Sequence, residues 1–174
     1  FVVLSQWQRA QDIQRRSVVV HELTHAGMSG LFGGAYRYST SLSEGIAQYE
    51  EELYTGRAGY YRDLTDLAAA YRGGYDSAAR WRSTGVLWGV HGSGAVSLAY
   101  NDAFAITRIL IQHHGGFSAF RKVVRGYLKV RLTNGSFTQA QLDRIFRSAT
   151  GARFTQASDE THAWVIAGGW HTPL

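Results

Sequence analysis

His21-Glu22-Leu23-Thr24-His25 lies in a run of helical periodicity, and it decides both the expected fold and the expected chemistry. On an α-helix, residues four positions apart lie on one face, a turn apart. Both imidazoles can therefore reach a single ion at the roughly 2.0–2.1 Å of a zinc–nitrogen bond. Glu22 points to a neighbouring angle, where it can contact a water beside the metal and act as a general base.

A catalytic zinc site usually has three protein ligands and one open position, so the pattern needs a third ligand. The chain contains no cysteine, which leaves His, Asp or Glu as the possible ligands. Glu44 is the candidate, within Leu42-Ser43-Glu44-Gly45-Ile46-Ala47 on the next expected helix. A second interpretation stays open, because Ser41 and Glu44 also have capping-box spacing, in which Glu44 would bind the backbone N–H of Ser41.

The rest of the chain predicts a mainly helical single domain over residues 1–174. Its 174 residues, 45% of them hydrophobic, suffice for one sizeable core. The first residue is Phe1 rather than Met, which suggests a fragment or a processed product. Phe1–Leu4 predicts a short strand, and the tail around Trp164 and Trp170 is expected to pack back on the body. Helices are expected from about Asp12 into the glycine run Gly27–Gly34, and then over Ser41–Gly56, Leu64–Tyr71, Ser77–Arg82, Ser97–Gln112, Ser118–Lys129, and from a cap at Thr138 with Gln141 to just before Gly151.

The charge pattern bears on the possible partners. The formal net charge is +5, and it comes from arginines that are scattered rather than gathered in one block. This favours a generic basic surface over a nucleic-acid arm, so no nucleic-acid partner is expected. No apolar run approaches the roughly 20 residues of a membrane span. The sequence leaves the oligomeric state open.

These motifs resemble those of the gluzincin peptidases, in which an H-E-x-x-H helix is followed by a helix that carries a glutamate ligand. Eighteen residues separate His25 from Glu44, a spacing typical of the aminopeptidase N-like branch and of the peptidase MA-like domains. Leu42–Ala47 is similar to the Leu-Ser-Glu-Gly-x-Ala signature of the latter. The resemblance spans about Val18 to Trp164 and is strongest from Val18 to Tyr49.

The resemblance implies a zincin-like fold with Zn²⁺ bound by His21, His25 and Glu44 and with Glu22 as the catalytic base. Tyr100 matches a tyrosine that stabilises the oxyanion in this group, although simple packing would also explain it. His91, flanked by glycines, is an alternative oxyanion donor or part of a substrate groove. Gln48 stands where many relatives have an acid that orients the first zinc histidine, and its amide oxygen is expected to accept that N–H.

The departures from the family narrow the expected activity. Aminopeptidase N-like enzymes bind the free amine of the substrate with a Gly-x-Met-Glu-Asn motif, which this chain lacks. We therefore expect an endopeptidase acting on a peptide or protein substrate. The upstream sheet of a zincin is almost missing from this sequence. Either it is reduced to a small or truncated N-terminal β element, formed by Phe1–Leu4 and a strand within Val86–Val96, or the sheet lies before Phe1. The alternative function is a non-catalytic module that keeps the zincin scaffold and binds a protein partner.

Overall fold

Eight α-helices account for most of the residues that the computed structural model describes, which are 6–32, 39–57, 59, 61–82, 93–130 and 136–171. These residues contain no β-strand, so the prediction of a mainly helical fold is confirmed. None of their helices combines the length and the apolar character needed to cross a bilayer. The helices are α1 (Gln6–Phe32), α2 (Thr40–Gly56), α3 (Thr65–Arg72), α4 (Ser77–Arg82), α5 (Ser93–His113), α6 (Gly116–Lys129), α7 (Gln139–Thr150) and α8 (Phe154–Ile166), followed by a 3-10 turn at Gly169–His171.

Helix α5 is the centre of the fold. Its ten residues from Asn101 to Leu110 are all buried, and α2, α3, α6 and α8 pack around it. Each large apolar side chain that is fully buried contributes about 1.5–3 kcal/mol relative to an exposed one. The largest such side chains come from several helices and meet in one core: Trp81, Phe104, Phe120, Phe146 and Phe154.

Helix α1 packs mainly against α2. Ser17 and Met28 on that face are buried, whereas Leu23 on the other side is 66% exposed. The helix continues through Gly27 and ends only at Phe32, so the predicted glycine run stops the helix late rather than at its first residue. One face of α1 is thereby fixed against α2, and this contact contains both predicted histidines.

The first turn of α2 differs from the prediction. Ser39, with φ −133° and ψ 108°, is the N-cap, and its hydroxyl accepts the N–H of Leu42 at 3.3 Å. Ser41 is a buried residue inside the helix rather than the cap. The capping-box interpretation of Glu44 was therefore wrong, because the helix begins two residues earlier than that box requires. The carboxylate of Glu44 is left to face α1.

Other boundaries follow the local sequence closely. Thr138 Oγ1 accepts the N–H of Gln141 at 3.2 Å, and Gln141 Oε1 accepts the N–H of Thr138 at 2.8 Å, so the predicted capping box is confirmed. Phe137 and Leu142, which flank this capping box at the spacing of a hydrophobic staple, are both buried. The predicted short helix Ser77–Arg82 has the bounds of α4.

The structure differs from the prediction at α5 and α8, and the two predicted strands lie wholly or partly outside the described residues. The predicted strand Phe1–Leu4 lies outside the described residues, as does the part of the Val86–Val96 strand that precedes Ser93. The remainder of that strand, Ser93–Val96, is the first turn of α5, which begins four residues before the expected start at Ser97. Helix α8 was expected only as an apolar tail, although the predicted packing of Trp164 and Trp170 against the core is confirmed.

A buried acid links α5 to α3 and α4. Asp102 is 1% exposed, and its Oδ1 accepts hydrogen bonds from the Tyr71 phenol at 2.8 Å and from the Ser77 hydroxyl. Burial raises the pKa of Asp102 from 3.8 to about 6, against the opposing effect of these two hydrogen bonds. The folded state therefore favours the neutral carboxyl group. The neutral Asp102 carboxyl group therefore stabilises the folded state fully below pH 3.8, and this contribution to the free energy of unfolding is lost as the pH rises through about 6.

Replacing Asp102 by Asn should remove this pH dependence, since the amide cannot ionise. Because one pKa unit corresponds to about 1.36 kcal/mol, the free energy of unfolding of Asp102→Asn relative to the unmodified protein should rise by roughly 2.5 kcal/mol between pH 4 and pH 8. Urea denaturation at several pH values measures this difference. Asp66→Asn, at an exposed position of α3, is the control and should show a nearly constant difference. A constant difference for Asp102→Asn would contradict the raised pKa.

Candidate metal centre

Three side chains from two helices converge at the contact between α1 and α2. His21 Nε2 lies 3.1 Å from His25 Nε2 and 3.2 Å from Glu44 Oε2. His25 Nε2 lies 3.5 Å from the same carboxylate oxygen. One possible ligand atom from each residue lies within 4.8 Å of the other two. The structure thus brings together the three residues predicted as ligands, and two imidazole nitrogens with one carboxylate oxygen are a donor set typical of zinc.

Helix geometry explains this convergence. His21 and His25 are one turn apart on α1, with ring centroids 4.8 Å apart and planes at 79°. Glu44 lies in the second turn of α2, shortly after the cap at Ser39. Glu44 contacts both histidines, whereas Glu51, two turns further along α2, contacts His21 and the preceding Ser17, so α1 and α2 run antiparallel.

Glu44 has the properties of a ligand oxygen. Only 14% of its side chain is exposed, and its buried Oε2 has no well-aligned hydrogen bond among the described residues, although both imidazoles lie within ion-pair distance. Burial by itself would raise the pKa of Glu44, but the neighbouring His21 and His25 outweigh burial and lower it to about 2. Buried polar atoms normally have a hydrogen-bond partner. An anionic oxygen without one, opposite two imidazole nitrogens, therefore fits a divalent cation.

The other ring nitrogen of His21 contacts α2. His21 Nδ1 lies 3.4 Å from Glu51 Oε2 and 3.4 Å from Gln48 Nε2. The neighbouring carboxylates of Glu44 and then Glu51 raise the pKa of His21 to about 9, against the effect of burial. We expected the amide oxygen of Gln48 to face this ring, but its nitrogen does so, and Gln48 Oε1 is buried without a hydrogen-bond partner among the described residues.

Glu51 was missed in the sequence. It follows Glu44 by seven positions and Gln48 by three, so all three residues lie on one face of α2. That spacing could have predicted a second carboxylate beside the histidines from the sequence. Its contact with His21 Nδ1 depended on the register between α1 and α2, which the spacing along α2 does not specify.

Two further predicted residues flank the convergent side chains. Glu22 follows His21 on α1 and is exposed, and Tyr100 lies on α5 with its side chain partly buried. Burial raises the pKa of Tyr100, and the charges of Glu44 and Glu22 raise it further. The phenol therefore lies close enough to both carboxylates for electrostatic interaction. A protonated phenol and an exposed carboxylate therefore lie near the three possible ligands. His91 lies outside the described residues.

Protein-family models, curated proteins and solved structures gave no match to this chain. A cluster of His and Glu can also serve simply to join two helices by ion pairs. The absence of a well-aligned hydrogen bond at the buried Glu44 Oε2 favours metal binding, because an ion-pair role would be expected to give that oxygen such a bond.

The other histidine pair has a different environment. His113 Nδ1 and His114 Nε2 contact the two carboxylate oxygens of Glu160, the second at 2.8 Å. These contacts join the carboxyl end of α5 to α8. The side chain of His113 is 46% exposed, as is usual near a helix end at the surface. The pair lies at the opposite end of α5 from Tyr100.

Proposed function

We propose that the chain is a zinc-dependent peptidase with a zincin-like arrangement of its H-E-x-x-H and glutamate helices. The observation that carries the proposal is the buried Glu44 Oε2, which has no well-aligned hydrogen bond among the described residues and which faces His21 Nε2 and His25 Nε2 at 3.2 and 3.5 Å. His21, His25 and Glu44 would hold the ion. When bound, zinc supplies the Lewis acidity that makes water a nucleophile near neutral pH and polarises a carbonyl group.

The remaining residues have roles that follow from their chemistry. Glu22, exposed beside His21, accepts a proton from the attacking water and returns it to the leaving amine. Tyr100 remains protonated at neutral pH and donates its O–H to the oxygen on which negative charge develops. The chain has no Gly-x-Met-Glu-Asn motif for a free amine, which supports cleavage within a peptide over removal of its first residue.

Metal content and hydrolysis together test this proposal. The purified protein should bind one zinc ion per chain, and a chelator should abolish its cleavage of casein until zinc is added back. Replacing His21, His25 or Glu44 by Ala should each reduce bound zinc and remove activity, because two ligands hold the ion far less firmly than three. Elemental analysis after dialysis, paired with a casein assay on the same samples, provides both measurements.

Histidine variants outside the centre provide the control. His113→Ala and His114→Ala remove the other imidazole pair, which contacts Glu160, and should leave both the zinc content and the hydrolysis unchanged. Full zinc content in all three ligand variants would exclude the proposed centre. Stoichiometric zinc without hydrolysis of any tested protein would instead favour the non-catalytic module.

A further inference from the structure

We propose that Glu51 is the residue that positions His21 for metal binding, a role that rests on the zinc centre proposed above. Glu51 Oε2 lies 3.4 Å from His21 Nδ1, on the side of the ring opposite the convergent Nε2. The side chains are 22% and 13% exposed, respectively, so little solvent separates them. A carboxylate at this place fixes the ring orientation and increases the basicity of the ligating nitrogen.

The required tautomer explains why an acceptor is needed. His21 directs Nε2 towards His25 and Glu44 at 3.1 and 3.2 Å, so a neutral ring that binds metal there carries its proton on Nδ1. That proton needs an acceptor. Gln48 faces Nδ1 with its amide nitrogen, which can only donate. Glu51 Oε2, at the same distance, is the acceptor that the tautomer requires.

Glu51 is itself held in place from outside the α1–α2 contact. Arg62 Nη2 lies 3.5 Å from Glu51 Oε2, while Arg62 Nη1 donates to Asn101 Oδ1 at 3.2 Å. The guanidinium also lies over the ring of Phe104, 5.3 Å from its centroid. The backbone N–H of Arg62 donates to both carboxylate oxygens of Glu52, at 3.0 and 3.1 Å. Arg62 thus connects Glu51 to α5, and the orientation of His21 depends on α5 as well as on α2.

An exchange of acid and amide tests the role of Glu51. Glu51→Gln should lower zinc affinity by about 10–100-fold, measured by competition with a chromophoric chelator. The double variant Gln48→Glu/Glu51→Gln returns a carboxylate to His21 Nδ1 from the neighbouring position and should recover most of that affinity. The visible spectrum of the cobalt-substituted protein should change in Glu51→Gln and return towards the original in the double variant.

A matched variant separates positioning from simple stabilisation. Glu50→Gln alters the preceding carboxylate of α2, which is only partly buried and interacts with Arg57 rather than with His21, and should leave zinc affinity within about twofold. Equal affinity losses in Glu51→Gln and Glu50→Gln, or no recovery in the double variant, would overturn the role of Glu51. Zinc binding without hydrolysis by the unmodified protein would reject the peptidase and leave this inference standing, whereas no zinc binding would reject both.

Discussion

Replacing Glu22 by Gln should reduce peptide hydrolysis by about 10²–10⁴-fold while the protein keeps its zinc. The side chain of Glu22 is exposed and is not one of the three convergent ligands. The amide has nearly the same shape but cannot accept a proton from water, so proton transfer fails while the metal site is preserved. Surface substitutions of this kind usually change the free energy of unfolding by less than about 0.5 kcal/mol, so the variant should remain folded. The loss of activity should therefore appear as a lower kcat.

The measurement compares kcat and KM on a fluorogenic peptide, with zinc content determined on the same preparations. Glu50→Gln is the matched control, because Glu50 lies on α2 and is only partly buried; its activity should stay within about threefold of the unmodified protein. Hydrolysis at the original rate by Glu22→Gln would remove Glu22 from the mechanism. Loss of zinc from that variant would instead make Glu22 a contributor to metal binding.

The local sequence predicted the helix ends best where the capping chemistry was complete. Thr138 and Gln141 bond reciprocally, and α7 begins where this pair requires. At α2 several hydroxyl residues lie close together, and the cap is Ser39 rather than Ser41. Both serines are buried, so the choice between them depends on how α2 packs against its neighbours, and that information is not local.

Helix α8 shows that periodicity can be present and still be missed. Its buried residues Phe154, Ala157, Thr161 and Val165 are separated by three, four and four positions, which is helical spacing. Thr161 is polar, and its hydroxyl donates to the backbone oxygen of Ala157, so it can be buried without loss of a hydrogen bond. The spacing would therefore have predicted α8 from the sequence if Thr161 had been counted among the buried residues.

The candidate centre was predictable in part for a similar reason. The four-residue spacing of His21 and His25 fixes their relation on α1 whatever the rest of the fold does. The position of Glu44 opposite the histidines depended on α2 folding back against α1. The position of Glu51 depended on the register between α1 and α2. Arg62 lies in the segment between α2 and α3. No sequence pattern around it indicates that its side chain connects Glu51 to Asn101.

Substituting Gly45 by Ala should destabilise the fold and disturb the metal centre together. A Cβ atom at Gly45 would lie 2.3 Å from Thr107 Oγ1 and 2.6 Å from the backbone oxygen of Ala103. The first atom can move, but the second belongs to the central helix α5, so α2 and α5 would have to separate. We expect a loss of about 3 kcal/mol in the free energy of unfolding, at the upper end of the usual cost of overpacking, even though Ala favours helix by about 1 kcal/mol over Gly.

The chemical consequence follows from the next residue along α2. Glu44 precedes Gly45, so moving this turn away from α5 shifts the carboxylate relative to His21 and His25. A displacement of about 1 Å at such a site can reduce activity by about 100-fold. Gly27→Ala is the matched control, since Gly27 is helical and a Cβ there meets no atom within 4 Å; it should stabilise α1 by up to about 1 kcal/mol. If Gly45→Ala were as stable and as active as Gly27→Ala, the close contact of α2 with α5 would not be what holds Glu44 in position.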